Sequence, residues 1–344
     1  MKLIFISFVK SAPRYRQDPS FIYRCENLAL GLESIGHFSM LYHCSEVTPS
    51  ILLKSDCVVL HRPRNGWRFR WILNFCRAFK KKVVCDFDDL VMDPYFAEFS
   101  PAFLNGVRKI SDVRLDFEKH EKAISEFDFI TVSTEELRVR VLKRWPSSCV
   151  FVLPNSVYHG WYSEKEEYDL KKTPPRVIGY MSGTRSHDRD FMECRHHLKA
   201  LLDEDEGLSL HIYGEVGDGV STLGPQVKVF PKVPFYNYKS CYEDIAVAIA
   251  PLENTPFNQC KSSLKAIEAG FFGLPTVASH NGDFERLSNS GVWLVNDSND
   301  WKNQLTGALD ASQSFEYRSW VKSRSIASSN VVERAREFSY FLKK

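Results

Sequence analysis

Pro251-Leu-Glu-Asn-Thr-Pro-Phe-Asn-Gln-Cys-Lys-Ser-Ser-Leu-Lys-Ala-Ile-Glu-Ala-Gly-Phe-Phe-Gly-Leu-Pro-Thr-Val-Ala-Ser279 decides the fold class of this chain. It reads as a strand end, a polar loop, a short helix, a Gly-Leu-Pro turn and a second strand. Leu264, Ile267 and Phe271 recur at i, i+3, i+7 and form a buried stripe. Lys261, Lys265 and Glu268 recur at i, i+4, i+7, which predicts two ammonium groups and a carboxylate on the other face. Asn258, Ser262 and Ser263 supply amide and hydroxyl groups near the helix start, where the partial positive charge of the helix gathers. A phosphate is stabilised at such a point. Two lysines there exceed what capping needs.

The same strand-and-helix alternation extends in both directions. Lys2–Val9, Phe38–His43, Asp56–His61, Lys82–Cys85, Phe129–Ser133 and Cys149–Leu153 read as short strands rich in Val, Ile and Phe, with helical stretches between them. After Pro154 comes a polar segment, Tyr158 to Pro175, closing on Thr-Pro-Pro. The alternation then restarts at Val177 and runs through Ser209–Tyr213, Val227–Phe230, Val247–Pro251, Thr276–Ser279 and Val292–Val295. The expectation is an α/β protein of two Rossmann-like parallel-sheet domains facing each other across a cleft. The first domain spans 1–157, a linker 158–175 and the second domain 176–320. A helix over 321–344 is expected to return to the first domain.

Composition narrows the classes. The 344 residues are 44% hydrophobic and 26% charged, with a net charge of +2, which fits a soluble globular chain and gives no nucleic-acid footprint. Nine cysteines stand singly, without C-x-x-C pairs or a His/Cys cluster at metal-ligand spacing, which favours a reducing, cytoplasmic setting and no bound metal. No apolar run approaches the roughly 18–20 residues that cross a bilayer. The basic stretches Arg62–Arg70 and Lys80–Lys82 are candidates for peripheral contact with an anionic inner membrane face.

Two parallel-sheet domains imply a ligand cleft at the carboxyl ends of their strands. At the first strand end of the second domain, Gly183 allows close backbone approach, Thr184 offers a hydroxyl and Arg185 a planar fork for phosphate. The next strand ends on Tyr213-Gly214, with Gly214 expected under a ligand. Phe235, in a later strand-to-helix loop, is a candidate to face a nucleotide base. In the first domain Asp86, Asp88 and Asp89 follow a strand, and three carboxylates at one strand end suit a base, a polyol contact or a metal, the metal being the weaker option because nothing nearby adds obvious ligands. His61-Arg62 ends the preceding strand and points at the same cleft. Gly214-x-x-Gly217-x-Gly219 is not the dinucleotide fingerprint, which removes the chief support for a nicotinamide enzyme. No motif for a P-loop, a nucleophile elbow or a zinc protease is present.

On these residues the chain resembles the GT-B glycosyltransferases, specifically the family 4-like retaining enzymes that include builders of bacterial surface polysaccharides. The likeness is strongest over 177–279. Ile178-Gly-Tyr-Met-Ser-Gly-Thr-Arg185 and His211-Ile-Tyr-Gly214 resemble the first two donor-domain loops, and Lys261 to Ser279 the nucleotide-sugar signature. The resemblance implies a nucleotide-sugar donor, a saccharide or lipid-linked glycan acceptor, no separate cofactor, and retention of configuration. It implies that Glu268 holds the donor ribose. It also implies that Arg185, Lys261 or Lys265, with the helix N-terminal amides, stabilises the leaving diphosphate, while Asp88 or Asp89 positions the acceptor or takes its proton. One departure stands out. The family pairs two glutamates eight positions apart, and the first of these is Cys260 here. A nucleotide- or sugar-binding protein without catalysis is therefore the competing reading.

Overall fold

A computed structural model of the chain describes residues 1–163, 170–220 and 222–343. The expected linker 158–175 falls in part on 164–169, which lie outside the described residues. Lys344, the last residue of the expected returning helix, lies outside them too.

The described residues form two six-stranded parallel sheets. The first contains β1 (Lys2–Ser7), β2 (Phe38–His43), β3 (Cys57–His61), β4 (Lys82–Phe87), β5 (Phe129–Val132) and β6 (Cys149–Val152), in the order β2-β1-β3-β4-β5-β6. The second contains β7 (Val177–Gly183), β8 (Ser209–Gly214), β9 (Val227–Phe230), β10 (Val247–Ala250), β11 (Thr276–Ser279) and β12 (Val292–Val295). Its order is β12-β11-β10-β7-β8-β9. In each sheet the order reverses once, between β1 and β3 in the first and between β7 and β10 in the second. Those reversal points open a crevice beyond the strand ends. Leu3 to Ile6, Val58 to Leu60 and Val247 to Ala250 are buried because helices cover both faces, which explains their unbroken apolar runs.

Two local features position the site. Asp18 caps the helix that follows β1 by accepting from Phe21 N at 3.2 Å, and Pro19 opens it. One turn later, Ile22–Glu26 winds as a π-helix before α-helix resumes at Asn27–Glu33. Such bulges rotate side chains out of the regular register and recur at functional sites. Tyr23 and Arg24 sit within it, both buried.

At the other end, helices Trp301–Ser312, Phe315–Ser328 and Val331–Phe341 close the chain. Ala335, Phe338 and Phe341 of the last helix share one apolar cluster with Leu28, Leu32 and Phe5 of the first sheet's layer. Phe341 stacks on Phe151 of β6 at 5.0 Å, and Lys82 Nζ donates to Leu342 O at 2.8 Å.

Candidate functional site

The first half of the site lies at the ends of β3 and β4. His61 and Asp86 are register partners there, and both are buried. Arg24 reaches them from the π-turn. Its Nη2 donates to Asp86 Oδ1 at 2.6 Å and its Nε to Oδ2 at 3.2 Å, a bidentate pair. His61 Nδ1 lies 2.9 Å from Asp86 Oδ2, and Thr131 Oγ1 donates to Oδ1 at 2.7 Å. Burial alone would raise the Asp86 pKa, but Arg24 and His61 hold it far below the carboxylate range.

Arg62 continues the pattern with a second guanidinium. Its Nε donates to Asp88 Oδ1 at 2.5 Å and its Nη2 to Asp89 Oδ2 at 2.6 Å. Its backbone sits at φ 46°, in the left-handed region that costs a side-chain-bearing residue about 1–3 kcal/mol. Asp88 also accepts from Ser20 Oγ at 2.6 Å. Its carboxyl is held below the usual range: burial works to raise it, and Arg62, His61 and Ser20 outweigh that. The three carboxylates read from the sequence are thus each matched to an arginine. His120, buried with Nδ1 2.8 Å from Pro63 O, serves packing, and burial lowers its pKa to about 3.

The second half lies around helix Leu264–Phe271. One sequence expectation needs correction here. Lys261 precedes the helix in extended conformation, after the turn Asn258–Cys260, so Lys261, Lys265 and Glu268 do not share one solvent face. Ile267, Ala269 and Gly270 are buried as expected of a core face, but Glu268 is buried with them. Its Oε1 accepts from Tyr23 Oη at 2.5 Å and its Oε2 from Tyr242 Oη at 2.8 Å. Burial raises the Glu268 pKa against the pull of these hydrogen bonds and Lys265.

Lys265 reaches over the Tyr180 ring of β7, with Nζ 5.2 Å from its centroid. Desolvation lowers its ammonium to about 8; Lys261 adds to the shift, while Asp190 and Glu268 oppose it. Asp190 anchors the loop before the helix by accepting from Asn258 Nδ2 at 2.7 Å and Glu253 N at 3.0 Å. His187 Nδ1 lies 2.8 Å from its other oxygen, and burial, with help from Lys261, lowers that imidazole to about 4. Ser262 Oγ accepts from Asn155 Nδ2 at 2.9 Å, and Ser263 donates through N and Oγ to Asp283. Both serines are therefore engaged. What is left at the helix start is Lys261, Lys265 and the N–H groups of Leu264 and Lys265, since Ala266 N and Ile267 N already donate to Ser263 O.

Gly183 and Gly214 adopt φ +71° and +121° at the ends of β7 and β8. A side-chain carbon at Gly214 would fall 2.6 Å from Gly183 N and 2.7 Å from Ser182 Oγ. Glycine is required there, and it keeps the backbone bare beside Thr184. The Arg185 side chain is 60% exposed, with Nε 3.5 Å from Asp188 Oδ2. Tyr213 stacks on Phe230 at 4.8 Å, and Phe235 packs edge-on against Tyr23 at 5.3 Å and Tyr158 at 5.1 Å. These two aromatics serve packing in this structure.

Asn155 joins the halves. Its Oδ1 accepts from Arg24 Nη1 at 3.1 Å while its Nδ2 holds Ser262. Asp86, Arg24, Asn155 and Ser262 form a continuous row from one sheet to the other. Sequence reading missed Ser20, Tyr23, Asn155, Asp190, Tyr242 and Asp283. Asn155, directly after Pro154, and Asp190, soon after the Gly183–Arg185 loop, stood next to a signal.

No family model matches the chain, and no curated protein matches its sequence. Solved structures do match its architecture. AviGT4, a glycosyltransferase involved in avilamycin A biosynthesis, superposes with a TM-score of 0.64 over 99% of this chain and 96% of its own, at 12% identity. The chain has the GT-B fold. A UDP-GlcNAc 2-epimerase from Neisseria meningitidis, bound to UDP-GlcNAc, shares this GT-B architecture over the full length of both chains, with a TM-score of 0.56 and 10% identity. A point mutant of S. aureus TarM, in complex with fondaparinux, α-GlcNAc-glycerol and UDP, matches 92% of this chain with a TM-score of 0.58 and 14% identity. This chain spans 59% of the TarM length. At such identities the likeness establishes the GT-B fold, which a transferase and an epimerase both carry.

Within that GT-B frame the position of the first signature glutamate can be inspected directly. Cys260 is fully buried, in one cluster with Phe117 and Leu137 of the first sheet's layer, and its carbonyl accepts from Thr134 Oγ1 at 3.0 Å. Burial raises the thiol to about 12. The side chain is fully buried, with Sγ donating to Pro256 O at 3.5 Å and the Arg140 guanidinium beside it.

Proposed function

We propose that this protein is a glycosyltransferase that moves a sugar from a nucleotide-activated donor to a saccharide or lipid-linked glycan acceptor. What supports the reading is that Lys261 and Lys265 stand at the opening of helix Leu264–Phe271, with Lys265 over Tyr180 of β7, the strand that ends at Gly183 beside Gly214. Breaking the anomeric C–O bond leaves negative charge on a nucleoside diphosphate. Lys261, Lys265 and the first-turn N–H groups of the helix stabilise that charge as it develops. With two cations in that role we read the reaction as metal-independent. Retention of configuration and a part in bacterial surface polysaccharide synthesis rest on the sequence resemblance.

Arg185 keeps a role only if it swings from Asp188, so Lys261 is the stronger candidate for the leaving group. The acceptor is expected on the first-sheet side, at Asp88. Trp67 and Phe79, 72% and 51% exposed at the start of helix Trp67–Ala78 and just past its end, stand next to Arg68, Arg70 and Lys80 in the sequence. That combination suits peripheral contact with an anionic membrane carrying a lipid-linked acceptor. Among the described residues no helix is long and apolar enough to cross a membrane.

The buried Cys260 favours a second reading, a nucleotide-sugar binder without transfer. Release of nucleoside diphosphate from UDP-, GDP- and ADP-sugars, with and without added glycan acceptor, separates the two. Acceptor-dependent release supports the transferase; binding with no release under any condition supports the binder.

A further inference from the structure

Lys261, Lys265 and the free amides at the start of helix Leu264–Phe271 have only hydrogens to offer, which suits a diphosphate. A sugar carried on that diphosphate has hydroxyls, and each hydroxyl also has a hydrogen to give. Three carboxylates packed around the helix start are taken. Asp190 accepts from Asn258 Nδ2, Glu253 N and the His187 ring, Glu268 from Tyr23 and Tyr242, and Asp283 from Ser263 and Arg286. Asn258 Oδ1 has no partner, but it is buried beyond reach.

His187 supplies an open acceptor. It ends the short turn Arg185–His187 that follows β7. Tyr180 links it to Lys265: the Lys265 ammonium lies over the Tyr180 ring, and Tyr180 Oη donates to His187 O at 3.4 Å. His187 Nδ1 lies 2.8 Å from Asp190 Oδ2, a carboxylate oxygen that can only accept, so Nδ1 carries the hydrogen. Burial, then the charges of Lys261 and Lys265, lower the imidazole to about 4 against the pull of Asp190, so the ring is neutral at pH 7. A neutral ring with its hydrogen on Nδ1 keeps a lone pair on Nε2. That atom has no partner among the described residues, and the side chain is 22% exposed.

We infer that His187 Nε2 accepts a hydroxyl hydrogen of the donor sugar, with Asp190 as the positioning residue that fixes the tautomer of the ring. This rests on the nucleotide-sugar site of the reading above and holds whether or not transfer follows binding. The cations and amides meet the diphosphate, and the imidazole meets the sugar. The site thereby tells a nucleotide sugar from a bare nucleotide while Cys260 stays buried.

The test is calorimetric titration of wild type, His187→Ala and Asp190→Asn with UDP and UDP-glucose, GDP and GDP-mannose, and ADP and ADP-glucose. In Asp190→Asn the amide oxygen keeps Asn258 and the amide nitrogen donates to Nδ1. The ring hydrogen then moves to Nε2, so the ring stays and the acceptor is lost. Both variants are expected to bind the sugar nucleotide about tenfold more weakly than wild type, and the matching free nucleoside diphosphate within about twofold. The retained nucleotide affinity is the control for an intact fold. Equal weakening of free and sugar-bearing nucleotide in His187→Ala would move the imidazole to the diphosphate and overturn the inference. A sugar-nucleotide affinity within about twofold of wild type would overturn it too, and either result leaves the donor site standing. A wild type that binds none of these sugar nucleotides removes the donor reading, and the inference with it.

Discussion

Tyr23 donates its phenolic hydrogen to Glu268 Oε1 at 2.5 Å across 245 positions of sequence, so one buried carboxylate fastens the π-turn of the first sheet's layer to the signature helix of the second. Tyr242 holds the other oxygen. Hydrogen bonds to charged groups contribute about 1.5–3 kcal/mol, and losing one leaves a buried acceptor short of a donor. Tyr23→Phe is expected to lower unfolding free energy by about that amount in a urea melt. A change below about 0.5 kcal/mol would mean that the contact is incidental.

Arg24 carries the heavier load in the same turn. Its side chain and that of Asp86 are 2% and 3% exposed, and its removal strands a buried carboxylate with only His61 and Thr131. Arg24→Ala is expected to cost about 3–5 kcal/mol. Differential scanning calorimetry checks it, and an unchanged midpoint would contradict the buried pairing.

The sheets were legible in the sequence because parallel strands buried on both faces read as unbroken Val/Ile/Leu runs. Val58 to Leu60 and Val247 to Ala250 are examples. The glycines at 183 and 214 were legible too, since a strand end followed by a glycine marks close backbone approach. The engagement of the candidate side chains was not. Ser262 and Ser263 look free in a linear reading, yet Asn155 and Asp283, 107 and 20 positions away, occupy them. Glu268 looked solvated because helical periodicity assigns a face without saying what packs on it. The π-turn at Ile22–Glu26 has no sequence pattern of its own, and it is what aims Tyr23 and Arg24.

Acid stability follows from the carboxylates. Asp116 accepts from Lys10 at 2.9 Å and Arg108 at 2.8 Å and also pairs with Arg64; burial works against these, and its folded pKa is lowered to about 2. A depressed folded pKa gives stability that is full above the unfolded value, roughly 3.9, and lost as pH falls toward about 2. Asp116→Asn should therefore be less stable than wild type at pH 6, by about 2 kcal/mol, with the gap closing near pH 2. Urea melts at both pH values check it; a gap that persists in acid would contradict the assignment.

Lys265 gives a pH dependence of the opposite sense. With its folded pKa lowered to about 8, it is charged at pH 7 and largely neutral at pH 9. Affinity for a nucleoside diphosphate is expected to weaken over that range, and Lys265→Met should flatten the dependence. Calorimetric titration at pH 7 and 9 reads it directly. Equal affinities in wild type would take Lys265 out of the donor site.

Cys260 answers to a different test. Because its side chain is fully buried beside Arg140, Glu136 and Pro256 O, Cys260→Glu would bury a larger, charged group and is expected to lower the melting midpoint without adding activity. Cys260→Ala should leave nucleotide binding intact. Activity raised by the glutamate would show that the side chain reaches the donor after all.

The account stands or falls on the donor site between Gly214 and Lys261. Thermal melting against UDP, GDP, ADP, CMP and NAD is the direct measurement, since a ligand that binds only the native state adds about 2.7 kcal/mol at a hundredfold over its Kd. The predicted result is a rise with one nucleoside diphosphate that disappears in Lys261→Ala and in Gly214→Ala, whose new methyl has no room beside Gly183. No rise with any of the five, or a rise that both variants keep, would contradict it.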